Sequence, residues 1–120
     1  MIDFNNKSIV KLSLDKNTKD KDILDLLVPG EQIVSSYSSM RDYVVFTTKR
    51  LISVNVQGLT GKKKDFTSLP YSKVQAFSIE TAGHLDLDSE LTLVFSGLGT
   101  VKFEFTGNCD IKSIAQLIAS

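Results

Sequence analysis

Cysteine, histidine and proline are scarce in this sequence of 120 residues, and no sign of charge prevails: 14 basic residues cancel 14 acidic ones. Each scarcity excludes something. The lone Cys109 rules out an intramolecular disulfide framework. Zero net charge leaves no global field to draw the chain to nucleic acid or to an anionic surface, so only a local patch can do so. No apolar run approaches the roughly 20 residues of a membrane-spanning helix. The opening Met1-Ile2-Asp3-Phe4-Asn5-Asn6 has neither the basic nor the apolar stretch of a secretory signal. The expectation is a cytoplasmic protein of one domain, with no membrane span, no nucleic-acid partner, and enough length to bury its own core. Internal repeats and low-complexity segments are missing. So are Gly-x-Ser-x-Gly, a Gly-rich phosphate loop and a Cys/His pair, and neither catalysis nor a metal or cofactor is expected.

What is present is mostly strand. Tyr43 to Val56 reads as a β-hairpin reversing near Thr48-Lys49. Val44 and Phe46 oppose Tyr43 and Val45 on the first arm, and Ile52, Val54 and Val56 oppose Ser53 and Asn55 on the second. Upstream, Val10, Leu12 and Leu14 alternate like a short strand, followed by the mixed-charge run Asp15 to Lys21, read as an arm and a solvated loop. Ile23, Leu24, Leu26 and Leu27 crowd one side of a short helix that Asp20 or Asp22 caps and Val28-Pro29-Gly30 ends. The reading divides residues 1–25, arm and short helix, from a domain over 26–120.

Downstream, Gln32 to Ser39 is a strand, and Gln57-Gly58-Leu59-Thr60-Gly61 is a turn into a polar edge strand, Lys62 to Leu69, closed by Pro70. Val74 to Thr81 alternates Phe77 and Ile79 against Ser78 and Glu80. In Leu87 to Phe95, Leu87, Leu91, Leu93 and Phe95 face one way and Asp86, Asp88, Glu90 and Thr92 the other. After the turn Gly97-Leu98-Gly99, Val101, Phe103 and Phe105 alternate with Lys102, Glu104 and Thr106. The period then changes: Ile111, Ile114, Ala115 and Ile118 make one apolar helical stripe, with Asn108 or Asp110 at its start. The predicted architecture is mainly β, seven antiparallel strands in a curved sheet or partly closed barrel, with a C-terminal helix over its open end.

Five ordered blocks carry a resemblance: Val45-Phe46-Thr47-Thr48-Lys49-Arg50-Leu51-Ile52; Gln57-Gly58-Leu59-Thr60-Gly61-Lys62-Lys63; Leu69-Pro70-Tyr71; Phe77-Ser78-Ile79-Glu80-Thr81-Ala82-Gly83; and Leu85-Asp86-Leu87-Asp88-Ser89-Glu90-Leu91. Together they resemble the bacterial pleckstrin-homology-like domains, from about Leu26 to the C-terminus. The resemblance implies two near-orthogonal sheets of seven strands capped by a helix. It also implies ring-like homo-oligomers, and no catalytic activity or ligand.

The chemistry-bearing residues each have two readings. His84 beside Asp86, Asp88 and Glu90 suggests a metal or acid/base site, but residues two apart on a strand lie about 6.6 Å apart, too far to chelate one ion. The row is then a solvated face or an acidic patch for a basic partner. Lys62, Lys63 and Lys64 with Lys49 and Arg50 form the candidate anion site or subunit contact, against plain protection of an edge strand. The inositol-phosphate motif of eukaryotic pleckstrin-homology domains does not carry over, since the matching loop Ser38-Ser39-Met40-Arg41-Asp42 holds one arginine beside an aspartate. Cys109, at a helix start, is a packed or partly exposed bystander in preference to a nucleophile. Gly97-Leu98-Gly99 joins two strands and is a turn, not a nucleotide loop. The function expected is a non-enzymatic module acting by self-association and protein–protein interaction, with an anionic lipid or phosphorylated ligand at the lysines as the alternative. In the first case Lys62 and Lys64 of one copy meet Asp86, Asp88 and Glu90 of the next, and Val10, Leu12 and Leu14 add apolar contact.

Overall fold

The structure is a computed structural model that describes residues 1–4, 8–16 and 20–120. Residues 17–19 of the predicted polar loop lie outside the described residues. The elements are β1 (Ser8–Asp15), α1 (Lys21–Leu24), β2 (Ile33–Ser38), β3 (Asp42–Thr47), β4 (Arg50–Gln57), β5 (Lys63–Pro70), a 3₁₀ turn (Tyr71–Lys73), β6 (Ala76–Glu80), β7 (Ser89–Phe95), β8 (Gly99–Phe105) and α2 (Ile111–Ala119). The strands form one sheet in the order β5-β4-β3-β2-β1-β8-β7-β6, which curls but leaves β5 and β6 as edges. The seven predicted strands are β2 to β8. The eighth is the arm, β1, which joins the two halves of the sheet by pairing antiparallel with β2 and parallel with β8.

Simple alternation fails in β1. Lys11 has a φ of 59° and breaks the register between Ile9 and Leu12, a bulge that turns both residues into the core and leaves Val10 and Leu14 exposed. Leu12 is fully buried within the subunit, so it is not available to a neighbouring copy as the pattern suggested.

The hairpin β3–β4 has two apolar faces, and each has its own cover. Val44, Phe46 and Leu51 enter the main core, where Tyr37 stacks edge-on to Phe46 and Phe105 at 6.0 and 4.8 Å. Val45, Ile52 and Val54 face the other way and pack under Ile23 of α1, with Leu27, Ile33, Tyr43 and Phe66 around them. Helix α1 is a single turn, capped by Asp20 accepting from Asp22 N at 3.0 Å. One turn is too short to bury the whole predicted stripe, so Ile23 is buried while Leu24 and Leu26 stay exposed.

Strand β7 starts only at Ser89. Asp86, Leu87 and Asp88 therefore lie in the β6–β7 loop and not on a strand, and Leu87 is exposed although the alternation placed it inside. Helix α2 is capped by Asp110, which accepts from Ser113 N at 3.1 Å, and it buries Ile111, Ile114 and Ile118 in the main core.

The segment Met1–Phe4 crosses the mouth of the barrel. At β5, the Met1 amine meets Asp65 at 2.8 Å and Ile2 N donates to Thr67 Oγ1 at 2.9 Å. At the opposite wall, Thr100 N donates to Phe4 O at 2.9 Å and the Phe4 ring packs edge-on against Phe95. Gly99 makes this crossing feasible: it has a φ of 123°, and a Cβ there would overlap the Phe4 carbonyl. Gly99→Ala is expected to cost about 1–3 kcal/mol in backbone strain alone, plus the displacement of Phe4. Gly107→Ala, with positive φ but open space around it, is the control and should cost less. Equal urea midpoints for the two variants would refute the Phe4 contact.

Candidate functional site

The most tightly built polar cluster joins the start of β2 to the β3–β4 turn. Glu31, its side chain fully buried, accepts from Arg50 Nε at 2.9 Å and Nη2 at 3.0 Å, from Thr47 Oγ1 at 2.6 Å and from Val28 N at 3.1 Å. Burial by itself raises the Glu31 carboxyl, but the bonds from Arg50, Thr47 and Val28 outweigh it and hold the pKa at about 2. Arg50 further donates to Leu26 O at 2.7 Å and Ser68 Oγ at 3.2 Å. Thr47 Oγ1 also receives Lys49 N and Arg50 N, which fixes the turn, and Tyr71 donates its hydroxyl to Thr47 O at 2.8 Å. This is a structural knot tying α1's exit, the hairpin and the β5 edge together. Arg50, a predicted anion contact, has its fork committed to a carboxylate.

The remaining predicted cations do not converge. Lys64 bonds Asp22 at 2.6 Å and lies 5.9 Å from the Tyr43 ring centre, so it clamps α1 to β5, and the Asp22 bond raises its pKa. Lys49 is exposed at the far side of the hairpin. Lys62 and Lys63 are exposed next to the β4–β5 turn and stay available.

The acidic residues gather in a different way from the row read along one strand. Cross-strand register places Glu80 opposite Glu90 on β6–β7 and Glu90 opposite Glu104 on β7–β8. The row therefore runs across three strands, with Asp88 and Asp86 from the loop beside it. Like charges directly opposite each other destabilise a sheet. Burial, Asp88 and Glu90 all push the Glu104 carboxyl up, and Lys102 lies 3.8 Å from Glu90. Glu104 and Glu80 were missed, yet the first was within reach of arithmetic. A turn at Gly97-Leu98-Gly99 that pairs Phe95 with Gly99 puts Glu90 opposite Glu104.

His84 is exposed in the β6–β7 loop, and no group of three His, Cys, Asp or Glu side chains among the described residues is arranged to hold a metal ion. Cys109 is half-buried near Tyr37 and Ser89, and burial pushes its thiol pKa up, the opposite of an activated nucleophile. At the barrel mouth, Ser53, Asn55, Asp42, Asp65 and Thr67 line a cleft of about 150 Å³ beneath Met1–Asp3, in which Asn55 Nδ2 donates to Asp42 at 2.6 Å.

A curled eight-stranded sheet with a C-terminal helix packed on β6 and β7 is the architecture of a pleckstrin-homology domain. The family model of the bacterial PH domain matches residues 3–120, and the chain belongs to that family. It is 42% identical over 102 residues to the "Uncharacterized protein YjqA" of Bacillus subtilis, covering 83% of this chain and 82% of that one. To the "Uncharacterized protein YozO" of the same organism it is 33% identical over 106 residues, covering 88% and 91%. Among solved structures it superposes with a TM-score of 0.76 on a protein with a pleckstrin-homology domain from Shewanella loihica, at 34% identity over 92% of this chain and 96% of that one. A pleckstrin homology domain from Shewanella amazonensis gives a TM-score of 0.62 at 37% identity, covering 88% and 96%. Among the described residues no helix is long and apolar enough to cross a membrane.

Proposed function

We propose that the chain is a non-enzymatic association module, acting in the cytoplasm, whose first partner is another copy of itself in a ring-like assembly. The observation that carries this reading is the glutamate row Glu80–Glu90–Glu104, three like charges in register on one outer face. A sheet that keeps this arrangement gains when a cationic surface covers it. Lys62 and Lys63 stand at the β5 edge of the sheet, whereas the acidic row runs from β6 to β8. A head-to-tail contact between copies brings the two together, and it closes into a ring when the rotation permits. Exposed ion pairs contribute only about 0–1 kcal/mol each, so they set register. Leu85 and Leu87, exposed in the same loop as Asp86 and Asp88, supply the apolar contact.

Charge reversal is the test. Asp88→Lys with Glu80→Lys removes repulsion within the subunit and should leave the melting temperature intact while moving the mass by light scattering toward monomer. Adding Lys62→Glu with Lys63→Glu should restore the assembly at least in part. A first double variant that keeps the parent's mass at moderate salt would place the interface elsewhere.

A further inference from the structure

The polar side of β4 points into the barrel. Residues directly opposite one another in a sheet share a face, so the inner wall can be followed in layers across β3, β4 and β5 toward the mouth. The innermost layer, Phe46, Leu51 and Leu69, is apolar and enclosed. The next sets Val44 opposite Ser53 and Ser53 opposite Thr67, and these two hydroxyl residues are only 5% and 6% exposed. The outermost sets Asp42 opposite Asn55 and Asn55 opposite Asp65. An interior that passes from apolar to hydroxyl to carboxylate calls for a polar occupant, because hydroxyls and carboxylates withdrawn from water cost free energy unless they are paired.

The strap Met1–Phe4 is that occupant here. Its Met1 ammonium meets one Asp65 oxygen at 2.8 Å, while Thr67 Oγ1 donates to the other at 3.3 Å and so aims the carboxylate at the amine. The ammonium, and Thr67 after it, hold the Asp65 carboxyl below its ordinary value. Thr67 Oγ1 in turn accepts from Ile2 N at 2.9 Å. Farther along, Thr100 N donates to Phe4 O, and the Phe4 ring lies edge-on to Phe95 with 5.7 Å between centroids. Apart from that ring, the groups bound are an amine and main-chain atoms, which any chain end offers. The grip is uneven. Met1 is 81% exposed and its ion pair is open to water, whereas Phe4 packs against the core, so the strap is weakest at its amine.

We propose that the barrel mouth is a receptor site for the free amino terminus of another polypeptide, with the chain's own strap as the competing occupant. The ligand is an extended peptide that places its ammonium at Asp65, its second main-chain N–H at Thr67 and an aromatic fourth residue against Phe95. Asp42 and Asn55, bonded to each other at 2.6 Å, line the same cleft and give it a negative character that suits a cation and disfavours an anion. The site shares no residue with the row Glu80–Glu90–Glu104, so its failure and that of the self-association reading are separable.

The full chain, isotope-labelled for NMR, is titrated with the peptide Met-Ile-Asp-Phe-amide, with the same peptide acetylated at its amine, and with spermidine. The free peptide should shift the amide signals of Thr67 and Thr100 and bind about fivefold more tightly than the acetylated one, the upper range for an exposed ion pair. Asp65→Asn should abolish that preference with little change in the melting curve. Phe4→Ala weakens the strap but leaves Asp65, Thr67, Phe95 and Thr100 in place, so the apparent affinity for the free peptide should rise about tenfold as the competitor withdraws. The bound peptide should also restore part of the melting temperature that this substitution costs. The Asp65→Asn comparison stands even if Phe4→Ala does not fold. The proposal is overturned if the free peptide moves neither signal in the parent or in Phe4→Ala, or if free and acetylated peptides bind equally. Spermidine that matches the free peptide on the same signals overturns it too, since the site would then read any ammonium and not a chain end.

Discussion

Arg50→Ala is expected to cost about 3–5 kcal/mol of stability, because it leaves the Glu31 carboxylate buried without its counterion. The loss exceeds that of a surface ion pair, since Glu31 has no access to water with which to replace the guanidinium. The steepness of the pH response separates this mechanism from mere loss of packing. In the parent, the Glu31 carboxyl is held at about 2, below its ordinary value of 4.5. The folded state therefore binds fewer protons than the unfolded one in this window, and the contribution of Glu31 is fully present above about pH 4.5 and fades as pH falls toward about 2. In Arg50→Ala only the bonds from Thr47 and Val28 oppose burial, so the carboxyl is depressed less and stability should fall less steeply as pH drops below about 4.5. Denaturant midpoints across this range test the change of slope. A variant whose acid limb runs parallel to the parent's would show that the pair does not govern the region.

Ile114→Ala is expected to cost about 2–5 kcal/mol, because its side chain is almost wholly enclosed where α2 docks on β6 and β7. In a domain of this size that lowers the melting temperature by about 10 °C or more. The helix has only nine residues and is held by its apolar stripe and the Asp110 cap, so little else anchors it once Ile114 is truncated. Gln116→Ala on the exposed face of the same helix should change the melting temperature by a degree or two at most. Equal effects at the two positions would mean that the helix is not seated as described.

Features that depend on near neighbours were legible. The β3–β4 hairpin, the strands β7 and β8 with their glycine turn, and the stripe and cap of α2 follow from period and local hydrogen bonding. The misreadings have long-range causes. Alternation puts Ile52 and Val54 on one face of the hairpin but does not show that this face meets a second cluster, which exists only because α1 lies over it. Arg50 looks like a free cation until Glu31, 19 positions earlier, is brought under it. The acidic run from Asp86 to Glu90 looks like one strand face because no local signal marks where β7 begins.

The sequence by itself determined the class of this domain, because turn chemistry and side-chain alternation act over a few residues and specify strands, hairpins and the final helix. Tertiary structure alone decided the placement of the arm. Its bulge at Lys11 and its pairing with both β2 and β8 depend on partners 25 and more than 90 positions away, as Ser13 with Ser38 and Ser8 with Lys102 show. It also decided which charges remain available, since the Coulomb energy of a pair depends on separation and burial, quantities that appear only once the chain has closed on itself. Lys64 and Arg50 are thereby held within the subunit, while Lys62 and Lys63 remain exposed next to the β4–β5 turn.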